Sequence, residues 1–251
     1  MVSQQRHGYS MSASRSPDNG SGPRLGIIAA FAWEVRPLLR IGRAQRCGHT
    51  PFRVRALGLA EKPMLLVIAG AGAANSFAAS QYLTRSFPLS GLASIGFAAG
   101  LAPGIAAAEV IRGDSVIDAA TGERYECDGN LAKARCDRHG NLLSVNSVIR
   151  SSEQKLDLGK KWKALAADME AAGVARAARE AKLPFCALKA ITDSAEQSLS
   201  IDFSRCQRED GDISVWAVIR QGLATPHGAA ELARLAWNAR RAAARLAAAL
   251  Q

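Results

Sequence analysis

Short continuous apolar runs alternate along this chain with longer apolar stripes. Residues 25–30, 64–69, 92–97, 164–167 and 184–191 are near-continuous apolar runs of strand length, the pattern of strands covered on both faces. Residues 52–57 alternate apolar with basic, as a half-exposed strand does; 109–118 leads out through Gly113-Asp114, and 142–149 returns as a further strand. Helices fall between these runs. One follows Gly70-Ala71-Gly72 and reaches Arg85, and an Ala-rich one opens at Glu170 and runs through Glu180. A third, over 151–162, starts on a capping box in which Ser151 or Ser152 precedes Glu153 and Gln154. Residues 31–35 turn into a short helix that Pro37 interrupts. Residues 213–223 read as helical, and 228–250 carries Leu232, Leu235, Ala239, Ala242, Leu246 and Leu250 at helical spacing. Strands alternating with helices predict an α/β fold, whose ligands bind beyond the carboxyl ends of the strands.

Two segments stand outside this pattern. Residues 1–23 are rich in Ser, Gly, Gln and Arg and nearly free of apolar side chains, so burial cannot offset their ordering entropy and a disordered leader is expected. That leaves 24–251 as one domain. The polar loop 194–212 is long enough to be functional and to close over a cleft.

Composition narrows the class. At 251 residues, 48% hydrophobic and 22% charged, the chain can bury one sizeable core. No apolar run reaches the roughly 20 residues that span a bilayer, and the N-terminus lacks an apolar signal centre, so a cytoplasmic protein is expected. Five cysteines without a Cys-x-x-Cys pair argue against a disulfide framework and a zinc ribbon. Cys127, Cys136 and His139 match no standard metal spacing. The net charge of +10 suits an anionic partner, but much of the excess is Arg in the two tails, and no nucleic-acid-reading motif accompanies it. Arg234, Arg240, Arg241 and Arg245 beside Leu235, Trp237 and Leu246 form a composition that can lie on an anionic bilayer, so a peripheral membrane contact is a further expectation; a helix docked on the domain has the same pattern.

The candidate chemistry gathers at strand ends. Glu170 lies at a strand-to-helix junction, where the helix dipole favours an anion, and Asp193 ends the 184–191 run. Glu34 stands just beyond the first strand, where a lone Glu is ordinarily a dipole partner. Gly70-Ala71-Gly72 looks like part of a dinucleotide fingerprint, yet the third glycine and the acidic residue about twenty positions on are missing. Small residues there let backbone approach a ligand.

Four blocks occur in order: residues 26–35 (GIIAAFAWEV), 67–75 (VIAGAGAAN), 96–101 (GFAAGL), and the pair formed by Asp168-Met169-Glu170-Ala171-Ala172 and Ile191-Thr192-Asp193. Through them the chain resembles the purine nucleoside phosphorylase and nucleosidase superfamily, which includes methylthioadenosine/S-adenosylhomocysteine nucleosidases. A narrower resemblance, to hopanoid-associated phosphorylases, rests on Leu142-Leu143-Ser144-Val145-Asn146, a short middle region and the Arg/Ala-rich C-terminus. The resemblance implies a three-layer α/β/α sandwich around a mixed central sheet, and cleavage of the N-glycosidic bond of a purine nucleoside-like substrate. The narrower resemblance implies adenosylhopane in hopanoid biosynthesis. By resemblance Asp193 protonates the departing base at N7 and Glu34 activates water. Glu170 binds ribose hydroxyls, Met169 packs on the sugar, Ile149 reads the purine edge through its backbone, and Thr192, Gly72 and Phe97 complete the substrate site. The Gly-Asp at Asp114 is implied to be a structural turn. The implied partners are a small-molecule nucleoside and further copies of the chain, as a dimer or larger homo-oligomer. No cofactor or metal is implied, with phosphate a co-substrate only of a phosphorylase.

The departures from the family bear on the nucleophile and the base. Ser94 stands where phosphorylases carry a phosphate-gripping Arg and Phe97 where they carry a hydroxyl, while Glu34 is present, so water is the expected nucleophile. Arg36 or Lys189 are alternative sources of charge for phosphate. Val148 replaces the aromatic ring that small nucleosidases stack on adenine, Lys189 replaces an Arg with a point charge, and Thr192 replaces a Ser. Three readings stand: a hydrolytic nucleosidase, a phosphate-dependent phosphorylase, and a non-catalytic nucleoside- or nucleic-acid-binding relative.

Overall fold

A computed structural model of the chain describes residues 22–42, 44–48, 52–59, 62–131, 134–201, 221 and 223–251. The leader, up to residue 21, the later part of the 194–212 loop and nearly all of the helix expected over 213–223 therefore lie outside the described residues.

In chain order the elements are β1 (Arg24–Ala29), α1 (Arg36–Ile41), β2 (Gln45–Gly48), β3 (Val54–Leu59), β4 (Lys62–Ile68), α2 (Ala73–Ser86), β5 (Leu89–Gly100), β6 (Val110–Asp118), β7 (Arg124–Glu126), β8 (Arg138–Ser144), α3 (Ser152–Trp162), β9 (Ala164–Asp168), α4 (Ala171–Glu180), β10 (Phe185–Asp193) and α5 (Pro226–Ala249). The strands form one mixed ten-stranded sheet. Its two faces bury alternate residues of the same strands, which is why the apolar runs are continuous. Leu65, Val67 and Leu92 face the Ala-rich sides of α2 and α4, whereas Met64, Leu66, Ala93 and Ile95 face Leu38 of α1 and Ala242 and Leu246 of α5. The sandwich implied by the resemblance is therefore present.

The sheet also closes partly on itself. β5 is twelve residues long, enough for β10 to pair along one edge from Leu92 to Ala99 while the other edge is shared. On that second edge β1 pairs parallel as far as Ser94, and β9 pairs antiparallel at Ala99 and Gly100. β9 continues to β8, β8 to β6, and β6 back to β10. Five strands thus form a ring, and between Ser94 and Ala99 the second edge of β5 has no strand neighbour. The backbone N–H groups of that gap need other partners.

Several boundaries differ from the sequence expectations. The strand expected over 142–149 is Arg138–Ser144: its parallel ladder with β6 begins at the polar residues Arg138 and His139, and Val145 leaves the ladder through a bond from its N–H to the Asp168 carbonyl. Pro37 starts α1 instead of interrupting it, since a first-turn residue needs no N–H. β2 and β7, short and rich in polar residues, gave no periodic signal. Ser151 caps α3 by accepting from the Gln154 N–H, as the capping box predicts. α5 begins at Pro226, ahead of the expected start, because the Thr225 hydroxyl accepts from the Gly228 N–H.

Helices α2 and α4 meet closely where they flank the site. A Cβ on Gly173 would fall 2.1 Å from the Ala73 carbonyl oxygen and 2.4 Å from the Ser76 hydroxyl. That contact fixes the start of α4, and so Glu170, against the start of α2.

Candidate active site

The unpaired stretch of β5 is filled by Glu34. β1 ends at Ala29, and the chain turns back so that the Glu34 carboxylate accepts from the backbone N–H of Ala30 and Phe31, both at 3.1 Å, and from that of Phe97 at 3.3 Å. The carboxylate lies against Gly96, where a Cβ would stand 3.0 Å from Oε2. Glu34 is 5% exposed. Burial, and after it the charge of Glu170, pushes its carboxyl up to about 7 despite these N–H donors.

Glu170 reaches the same place from β9. It accepts from the Gly72 N–H at 2.8 Å through Oε1 and from the Met169 N–H at 3.3 Å through Oε2. Gly72 has a φ of +95°, which a side chain would strain, and this turn aims its N–H at Glu170. Burial, then the charge of Asp168, raises the Glu170 carboxyl above its ordinary range. Lys189 balances the three acids. Its ammonium is ion-paired with Asp168 Oδ2 at 2.7 Å and donates to the Ser94 hydroxyl at 2.9 Å. Burial works against that charge, but Asp168, Glu170 and Glu34 outweigh it and hold Lys189 above its usual value. Asp168 Oδ2 also accepts from the Ala171 N–H at 2.9 Å, and Ser144 accepts from that of Ala172 at 3.2 Å, so these two cap α4.

Asp193 ends β10 beside Ala99. Its Oδ1 accepts from the Thr192 hydroxyl at 2.8 Å; that hydroxyl has one proton, so the 3.4 Å approach to the Ala98 carbonyl is secondary. Its Oδ2 is ion-paired with Lys155 of α3, and both side chains are buried. On the other side, Asn238 of α5 donates to the Thr192 carbonyl at 2.9 Å and fixes the end of the strand.

The family model of the phosphorylase superfamily matches residues 130–250, the part of the chain that carries Met169, Glu170 and Asp193. The fold agrees over a longer span. A 5'-methylthioadenosine/S-adenosylhomocysteine nucleosidase from Neisseria meningitidis, solved with methylthio-immucillin-A, superposes with a TM-score of 0.66 at 21% identity, covering 90% of this chain and 98% of that one. The chain is thus similar to the phosphorylase superfamily over residues 130–250, and it shares the fold of this nucleosidase. The corresponding nucleosidase from S. pneumoniae gives 0.66 at 20% identity, covering 90% and 98%. That from Helicobacter pylori gives 0.67 at 17%, covering 90% and 97%. No curated protein matches the chain by sequence.

Within this fold, the structure gathers Glu34, Glu170, Gly72 and the Phe97 backbone around one point. Thr192 is beside Asp193, and Met169 is half-buried next to Glu170. Ile149 is 5% exposed and packs its side chain with Leu101, Leu143 and Ala167. Asp114 lies outside the site, paired on the surface with His139 at 2.9 Å. Among the described residues no group of three His, Cys, Asp or Glu is arranged to hold a metal. Two surface hollows, one along α3 by Glu153 and Lys161 and one between Glu109 and Arg245, are away from these groups.

The sequence reading missed Lys155, Asp168, Ser144 and Asn238. Asp168 stood inside a recognised block, and its place before a helix was a legible capping signal. Lys155 and Asn238 sit on amphipathic helices among many polar residues and gave none.

Proposed function

We propose that the chain is a hydrolytic nucleosidase that releases adenine from a nucleoside-like substrate. The observation that carries this reading is the seating of Glu34. The N–H groups of Ala30, Phe31 and Phe97 would suit a phosphate, but the chain's own carboxylate holds all three. Lys189, the buried cation beside them, is already held by Asp168 and Ser94. A carboxyl near 7 is suited to taking a proton from water at neutral pH.

In the proposed reaction Asp193 is the general acid at N7 of the base. As the C1′–N9 bond lengthens, its electron pair passes to the purine and positive charge builds on the ribosyl ring. Glu170, fixed by Gly72, holds the ribose hydroxyls and favours that charge, so it binds the transition state better than the ground state. Water then adds to C1′ and loses its proton to Glu34. A purely binding relative would have no use for all three carboxylates. With water as nucleophile, adenine should appear at one rate with and without phosphate, and the sugar product should be the free ribose form. Strict dependence on phosphate, with a ribose 1-phosphate product, would establish the phosphorylase reading instead.

The finer substrate reading is an adenine nucleoside with a bulky apolar 5′ group, adenosylhopane being the compound implied by resemblance. Its support is an aromatic shelf beside Glu34. Trp33, 47% exposed, stacks on Phe31 at 5.4 Å and meets Phe97 edge-on at 5.2 Å. A lipid substrate also motivates a peripheral membrane contact, for which Trp237, 62% exposed, and the exposed Arg234, Arg240 and Arg241 are the candidates. Arg245 is bound to Asp137 and Leu246 is in the core, so the last turns of α5 are docked on the domain. Among the described residues no helix is long and apolar enough to cross a membrane. The protein should co-sediment with anionic vesicles at low salt and lose them as salt rises, each basic residue near the surface contributing about 1 kcal/mol. Absence of binding at low salt would remove the membrane contact. Assembly into a homo-oligomer is part of the same proposal, and sedimentation equilibrium measures it directly.

A further inference from the structure

Lys155 has no part in the reaction as proposed above, yet it is a fully buried cation in contact with the proposed acid. It is 0% exposed, and its three ammonium hydrogens have three acceptors: Asp193 Oδ2, the Gln197 carbonyl at 2.8 Å and the Ser194 carbonyl at 3.2 Å. This arrangement poses a chemical difficulty. A carboxyl beside an ammonium is favoured as the carboxylate, and a carboxylate has no proton to give to a leaving base. The two carbonyls suggest the resolution. An amine that has lost one proton keeps two hydrogens, and the Ser194 and Gln197 carbonyls are two acceptors for them.

We propose, resting on the nucleosidase reading, that Lys155 is a positioning residue that supplies the general-acid proton through Asp193. As the glycosidic bond breaks, a proton passes from Lys155 Nζ to the Asp193 carboxyl, and the carboxyl proton passes to N7 of the base. Asp193 ends as the carboxylate it was, Lys155 as a neutral amine, and the base leaves with its proton; solvent then returns one proton to Lys155. Among the described residues, the exposed carboxylate of Glu196, on the loop after β10, also feels the charge of Lys155. From α5 the end of β10 meets the neutral Asn238, and Glu231 of that helix is bonded to Ser200.

The test compares the full chain with Lys155→Met, which keeps the apolar stem and removes the charge, on two substrates. Release of adenine from methylthioadenosine needs a proton on the base, whereas release of p-nitrophenolate from its β-riboside does not. In the variant Asp193 must hold the proton itself. Its kcat for methylthioadenosine should therefore fall by at least about tenfold and decline more steeply with rising pH than that of the wild type, while the two proteins keep parallel profiles on the nitrophenyl riboside. Equal losses on both substrates with unchanged profile shapes would make Lys155 merely structural and overturn the proposal. So would a variant that matches the wild type on methylthioadenosine at every pH. If Lys155→Met does not fold, Lys155→Arg keeps the buried charge but holds its proton too tightly to pass it on, and its loss must be confined to methylthioadenosine; wild-type turnover on methylthioadenosine, or equal loss on both substrates, overturns the proposal. A wild type inactive on both substrates would instead refute the nucleosidase reading.

Discussion

Asp193→Asn should lower adenine release by about 10²–10⁴-fold, the usual contribution of a positioned acid, while substrate binding persists. Asn keeps the shape of the side chain, and its amide oxygen still accepts from Lys155 or Thr192, so the end of β10 keeps part of its bonding. It has no carboxyl through which a proton can reach the base. Removing one member of a buried ion pair commonly costs about 3–5 kcal/mol, because the other charge is left uncompensated. The retained amide oxygen and the Ser194 and Gln197 carbonyls should place the loss at the low end of that range or below it. The variant should therefore fold, bind a nucleoside analogue in a calorimeter with near wild-type affinity, and release base slowly. Wild-type turnover by a folded Asn variant would exclude Asp193 as the acid.

How far the sequence revealed this site depends on the range of the interactions that build it. Strands buried on both faces are read from continuous apolar runs, which is why β1, β4, β10 and the loops at their ends were placed close to where the structure has them. Glu170 and Asp193 stand just past such runs, whereas Glu34 became a candidate only through the family resemblance. β8 was misplaced because it enters the ladder through Arg138, His139, Gly140 and Asn141, whose polar character gives no strand period. Lys155 was hidden for a different reason: it sits in the polar stretch Glu153-Gln154-Lys155, and its burial is created by a loop some forty residues later. A local pattern cannot report a contact made at that separation. The Glu34 seat has the same origin. Nothing in residues 94–99 shows that β1 leaves the edge of β5 before β9 joins it, and that gap is what exposes the Phe97 N–H to the carboxylate.

Glu34→Gln should lower hydrolysis by about 10²–10⁴-fold and also change how the fold responds to pH. The rise of the Glu34 carboxyl from 4.5 to about 7 means that the folded protein holds this proton more tightly than the unfolded chain. The stability it contributes is therefore complete below about 4.5 and is lost as pH rises through about 7. Over that window the loss is on the order of 3 kcal/mol, and Glu170, raised in the same direction, adds to it. Activity runs the opposite way: the base form of Glu34 accumulates as stability declines, so hydrolysis should rise with pH up to about 7 and then level. Gln cannot titrate. In the variant the activity limb near 7 should vanish, and the fall in denaturant midpoint between pH 5 and 8 should be visibly shallower. Its amide group will meet one of three backbone N–H donors with another donor, an unsatisfied contact that costs about 1–3 kcal/mol at all pH values. The slope against pH, not the midpoint at any one pH, is therefore the quantity to measure. An unchanged slope together with a surviving activity limb near 7 would mean that another group titrates there and that Glu34 is not the base.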